Sequence, residues 1–139
     1  MICIDVGSGY SPKEGYLKCD INYGCDFYSI DEIPNDYVDK FHIRNTIHHI
    51  EDLEGFSKKI HEKQKEGGLL EIIDCKSEYY HINYFLDFLW YRYIFNRYDI
   101  FICKHYRNIE TPFVNAGYVL ESKFYENEKL ILILKKKKT

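Results

Sequence analysis

The chain opens on a nearly continuous apolar, β-branched run, Ile2-Cys3-Ile4-Asp5-Val6, and Gly7-Ser8-Gly9 follows at once. Such a run predicts a buried strand. Glycines straight after it predict a turn where the backbone can approach a ligand with no Cβ in the way. A second short strand, Tyr16-Leu17-Lys18-Cys19, ends at Asp20. A carboxylate at the end of a neighbouring strand is placed to accept hydrogen bonds from ribose hydroxyls. Together they point to a nucleoside-bearing cofactor. The bland alternative stands beside this one: Gly-x-Gly is often a tight turn, and Asp20 followed by Asn22 and Gly24 also reads as turn chemistry.

Further strand and helix candidates follow along the chain. Cys25 to Ile30 reads as a third strand, broken by the turn residues and proline of Asp31 to Asp36. Val38 to Ile43 reads as a fourth, with Val38, Phe41 and Ile43 toward the core. Glu51-Asp52 starts a helix with acids in its first turn, and Leu53, Phe56 and Ile60 keep helical spacing. Lys58, Lys59, Glu62 and Lys65 form its solvated face, and Gly67-Gly68 is expected to end it. Leu69 to Cys75 is a further strand.

Tyr79 to Tyr98 is the longest helical stretch and is apolar nearly all round, with Ile82, Phe85, Leu86, Leu89 and Trp90 on one side. It is either a buried core helix or a helix that exposes a binding face. Tyr98 to Cys103 fits a strand or a helix end equally. Asn115-Ala116-Gly117 is a turn. Val119 to Tyr125 and Leu130 to Leu134 follow as strands joined through Glu126-Asn127-Glu128, short enough for a hairpin. With no repeat and no linker, one domain over 1–139 is expected.

The formal net charge of −3 argues against a generally basic nucleic-acid surface. Lys135 to Lys138 would attract nucleic acid or an acidic surface, or be a solvated, frayed end. Cysteines at 3, 19, 25, 75 and 103 form no Cys-x-x-Cys pair, which fits a reducing compartment. No apolar stretch is long enough for a membrane span. The chain starts on a core strand, leaving no room for a signal peptide. A cytoplasmic protein with no membrane partner is expected.

The order of these stations resembles the class I S-adenosylmethionine-dependent methyltransferases. Ile4-Asp5-Val6-Gly7-Ser8-Gly9 looks like the family's glycine-rich first motif, and Tyr16-Leu17 to Asp20-Ile21 like its second strand with the ribose-binding acid. Asn45-Thr46-Ile47-His48-His49-Ile50 is similar to the family's segment after the fourth strand. Lys65-Glu66-Gly67-Gly68-Leu69 looks like its Lys-Pro-Gly-Gly-x, with Glu66 where proline is common. Ala116-Gly117-Tyr118 resembles the Ala-Gly-Phe before the closing hairpin.

The resemblance implies an α/β fold, a Rossmann-like three-layer sandwich with a mostly parallel sheet and an antiparallel last strand, and S-adenosylmethionine as cofactor. It places Gly7, Ser8 and Gly9 under the amino-acid end of the cofactor, with Asp5 helping to hold its ammonium. It assigns Asp20 to the ribose, Asp31 to the adenine amino group and Asn45 to the strand end facing the methyl donor. For Asp31 a turn or cap acid is the open alternative. Only about ten residues separate Gly9 from Asp20, too few for a crossover helix. A non-catalytic binding protein on the same fold is therefore the rival reading.

Methyl transfer is an in-line displacement from a sulfonium, so positioning supplies much of the catalysis. His48 or His49 is the candidate general base, or else the pair packs at a helix start. His42, His48, His49 and Cys75 fit no standard zinc spacing, so no metal is expected. The methyl acceptor, small or macromolecular, is not legible. The aromatic helix makes a homodimer the expected assembly.

Overall fold

In the computed structural model, the structure describes residues 1–7, 13–20, 26–27, 29–47, 50–75, 85–86, 89–94, 108–127 and 129–138. Among the described residues, six strands form one sheet: β1 (Cys3–Val6), β2 (Leu17–Cys19), β3 (Val38–Arg44), β4 (Gln64–Cys75), β5 (Tyr118–Glu126) and β6 (Lys129–Lys136). Their order across the sheet is β2-β1-β3-β4-β6-β5. The β2-β1, β1-β3 and β3-β4 pairs are parallel, and β6 runs antiparallel to both β4 and β5. The mostly parallel sheet with an antiparallel last strand is thus the arrangement expected from the sequence.

Registered rows on one face make the core. Ile4, Phe41, Leu70 and Leu134 lie side by side across four strands, as do Val6, Ile43, Ile72 and Leu132, and all are buried. Against this face pack α1 (Leu53–Lys63), through Leu53, Phe56 and Ile60, and α2 (Glu110–Ala116), through Phe113. The Phe56 and Phe113 rings meet edge to face at 6.4 Å, and Ser57 Oγ donates to Pro112 O at 3.1 Å. Each fully buried Leu, Ile or Phe in such a layer contributes about 1.5–3 kcal/mol.

The ends of α1 explain themselves. Asp52 caps the start, its Oδ1 accepting from Gly55 N at 3.0 Å. The stop is not Gly67-Gly68: the helix ends at Lys63, and Gln64 is already extended and opens β4. The two glycines serve a bulge instead. Between Val38↔Gln64 and Lys40↔Leu69, β3 advances two residues while β4 advances five. Gly67 takes φ +78°, and a Cβ on Gly68 would stand 2.9 Å from Asp39 O.

Other expectations change too. Cys25 to Ile30 is not a regular strand in its described part: Phe27 makes one parallel bridge to Cys19, and Ile30–Glu32 is a 3-10 turn. Asn115-Ala116-Gly117, expected as a turn, is instead the end of a helix: α2 runs Glu110–Ala116 with Gly117 just past it, and its start is tied by Asn108 Oδ1 accepting from Thr111 N at 3.1 Å. Pro112 is tolerated there because the first helical turn has no N–H partners to lose. Gly117 ends α2 at φ +124°. Lys136 is no frayed residue: it sits in β6, buried, and its ammonium donates to His61 O at 2.7 Å and Gln64 O at 2.8 Å. Of the long aromatic helix only 85–86 and 89–94 are described. Leu89–Ile94 winds as a π-helical turn, and Phe85, Leu86, Trp90, Tyr93 and Ile94 are exposed.

Candidate functional site

In an open α/β sheet, ligands bind beyond the carboxyl ends of the strands, where the strand order reverses. Here that point lies between β1, which leads outward to β2, and β3, which leads the other way to β4. Gly7 stands there at φ +71°, its N–H donating to Cys19 O at 2.8 Å. A Cβ on Gly7 would lie 2.3 Å from Thr46 Oγ1, so only glycine fits. Thr46, just past β3, donates from Oγ1 to Arg44 O at 3.0 Å. The backbone of β1 and the start of the β3 loop are therefore held in close approach at the reversal.

Asp20 follows β2 directly, beside Gly7 across the β1-β2 pair. Its N–H donates to Phe27 O at 3.2 Å, and Phe27 N donates to Lys18 O at 3.0 Å, which anchors the strand end that carries the carboxylate. Asn45 ends β3 at φ +53°, its N–H donating to Ile73 O at 2.8 Å. Its Oδ1 accepts from Lys129 Nζ at 3.0 Å, toward β6. Gly7, Asp20 and Asn45 thus share one end of the sheet.

Two other candidates are placed differently. Asp5 is 4% exposed, points to the face opposite α1 and α2, and accepts from Lys13 N through Oδ2 at 2.7 Å. Desolvation pushes its carboxyl above the usual range, while the Lys13 N–H and the nearby His42, Arg44 and Lys13 charges hold it down. Asp31 lies on the 3-10 turn and pairs with Lys59 of α1 at 3.1 Å, both exposed. Ser8, Gly9, His48 and His49 fall outside the described residues.

Sequence reasoning missed one arrangement. Asp5, His42 and Glu71 are direct cross-strand partners, forming one row across β1, β3 and β4. His42 is 7% exposed, and its Nδ1 lies 2.5 Å from Glu71 Oε1. That bond, with Lys13 at 3.3 Å, holds the Glu71 carboxyl down to about 2. The signal was available. A glutamate inside Leu69-Leu70-Glu71-Ile72-Ile73 is unusual for a parallel strand, and His42 alternates with core residues Phe41 and Ile43. Among the described residues, no group of three His, Cys, Asp or Glu side chains is arranged to hold a metal. No described helix is long and apolar enough to cross a membrane.

No family model matches the chain, and no curated protein matches its sequence. Solved structures do match. A chain described as a type 11 methyltransferase from Sulfolobus solfataricus superposes with TM-score 0.68 at 20% identity, over 99% of this chain and 85% of that one. An S-adenosylmethionine-dependent methyltransferase from Mesorhizobium loti gives TM-score 0.70 at 13% identity, over 97% and 90%. The fold is that of the class I methyltransferases. A third methyltransferase-fold neighbour, from Haloferax volcanii and solved in complex with the Trm112 methyltransferase activator, gives TM-score 0.65 at 12% identity, over 99% and 82%. The strand order sets Gly7 and Asp20 side by side at the carboxyl ends of β1 and β2, where the order reverses.

Proposed function

We propose that the chain is an S-adenosylmethionine-dependent methyltransferase. The observation that carries this reading is Gly7, at positive φ with no room for a Cβ, next to Asp20 on the adjoining strand end. The residues fit the cofactor there. Gly7, with Ser8 and Gly9, would pass beneath the amino-acid end, and Asp20 would accept hydrogen bonds from the ribose hydroxyls. S-adenosylmethionine, when bound, supplies a methyl group activated on a sulfonium. Asn45 would line the strand end toward that methyl. His48 or His49 would take the proton from an oxygen or nitrogen acceptor. Asp5, through Lys13 N, would fix the chain that returns from the glycine turn. The adenine role of Asp31 competes with its ion pair to Lys59.

Calorimetric titration with S-adenosylhomocysteine tests the reading. Binding is expected, and Asp20→Ala should weaken it by about 1.5–3 kcal/mol, the range for hydrogen bonds to a charged group. Unchanged affinity in the variant would remove Asp20 from the site. The rival is a non-catalytic binding protein on the same fold. It is favoured by the partners that Asp5, Asn45 and Asp31 already have in Lys13, Lys129 and Lys59. Absence of binding by both S-adenosylmethionine and S-adenosylhomocysteine would favour it decisively. The Haloferax neighbour makes an activator protein a partner class worth testing if binding occurs without turnover.

A further inference from the structure

On the sheet face opposite α1 and α2, a half-open cavity of about 150 Å³ is lined by Lys13, Tyr16, Lys40, Leu69, Glu71 and Ile133, together with Phe41 and Leu70. It adjoins the Asp5-His42-Glu71 row and is separate from the binding edge at Gly7 and Asp20. Its lining row, Lys40 beside Leu69, lies further from the carboxyl ends of the strands than that titratable row. A cavity of about this volume takes a body of about benzene's size when its walls are apolar. Leu69, Ile133 and the Tyr16 ring supply such walls.

The polar atoms of the cavity are held by a buried support. His42, nine-tenths buried, has Nδ1 on Glu71 Oε1 at 2.5 Å, and the Tyr16 ring stands edge-on to the imidazole at 6.0 Å. Lys13 Nζ reaches the same Oε1 at 3.3 Å and lies 5.2 Å from the Tyr16 ring centre. Glu71 thus meets both partners through one oxygen, and Oε2 has no hydrogen bond among the described residues. Lys40 has no ion pair among the described residues. Of the two lysines that line it, Lys13 is engaged by Glu71 Oε1, so the cavity offers the second carboxylate oxygen of Glu71 and the Lys40 ammonium, with apolar walls beside them.

We propose that this cavity binds a small zwitterion with a compact apolar body, an α-amino acid of about leucine's size. Its ammonium meets Glu71 Oε2, its carboxylate meets Lys40, and its side chain rests on Leu69 and Ile133. The site goes beyond the methyl-donor reading and does not depend on it.

Titration calorimetry on the full chain uses three probes of one skeleton: L-leucine, isocaproate without the ammonium, and isoamylamine without the carboxylate. Leucine should bind with Kd near 1 mM or tighter, and each analogue should bind at least about tenfold more weakly. Lys40→Met should bring leucine to the level of isoamylamine, and Glu71→Gln should bring it to that of isocaproate. Thermal unfolding of each variant is followed in parallel. Should Glu71→Gln not fold, Lys40→Met and the three probes still decide. No heat from leucine, equal affinity for the three probes, or an unchanged affinity in Lys40→Met would each overturn the proposal. Titration of S-adenosylhomocysteine into Lys40→Met separates this site from the binding edge, where its affinity should be unaltered.

Discussion

His42 Nδ1 and Glu71 Oε1 face each other at 2.5 Å across the β3-β4 pair, with the imidazole buried and the carboxylate half-buried. The Glu71 carboxyl, ordinarily near 4.5, is held at about 2, chiefly by the His42 hydrogen bond. A carboxylate with a depressed value stabilises the fold above its ordinary value and loses that contribution as pH falls through the depressed one. Urea unfolding from neutral pH downward should show wild type above Glu71→Gln at pH 7, with the gap closing between 4.5 and about 2. A gap independent of pH would mean that packing, not the charge, accounts for Glu71.

Gly7→Ala adds a Cβ at φ +71° and 2.3 Å from Thr46 Oγ1. Backbone strain and the clash are separable by a double-mutant cycle. Gly7→Ala should cost upward of about 1 kcal/mol from the left-handed backbone alone. Thr46→Ala in the same background should recover the steric part and leave the strain. Additive losses in chemical denaturation would contradict the close approach of β1 and the β3 loop.

Lys136→Met should destabilise by about 1.5–3 kcal/mol, the range for hydrogen bonds to charged groups, because the His61 and Gln64 carbonyls lose their donor. Lys137→Met, on the next residue and exposed, is the control and should change little. Equal effects in guanidinium unfolding would return the lysines to an undifferentiated tail.

Trp90 is the chain's single tryptophan and is 51% exposed. In dilute solution its fluorescence should be red-shifted and readily quenched by acrylamide. The homodimer expected from the aromatic helix would show as protection from quenching, with a doubled mass in light scattering, as concentration rises. A constant monomer mass with unchanged quenching would rule that assembly out.

The parallel strands β1, β3 and β4 were legible because buried strands leave apolar runs, and α1 because Asp52, Leu53, Phe56 and Ile60 show a cap and a helical period, while the run from Cys25 to Ile30 misled. α2 left a weaker trace. It is seven residues long and buries only Phe113, so no period develops. Gly67-Gly68 was misread because glycine serves a helix stop and a strand bulge alike, and only the β3 register separates the two uses. The position of Gly7 and Asp20 at strand ends was readable because each directly follows a short local strand. The Asp5-His42-Glu71 row was not, since it exists only once strands distant in sequence are laid side by side.

The position of β6 between β4 and β5 has a consequence for how the chain comes to be folded. Among the described residues every other strand precedes it in sequence, yet it alone joins β5 to the rest of the sheet. During synthesis from the N-terminus, β4 and β5 emerge with open edges, and their pairing waits on the last strand. That makes the contact order high and the late stage slow. Until Leu130, Leu132 and Leu134 arrive, Leu70 and Ile72 on β4 lack their neighbours on one side. A ribosome-bound chain halted before residue 129 should therefore bind holding chaperones that the finished protein escapes.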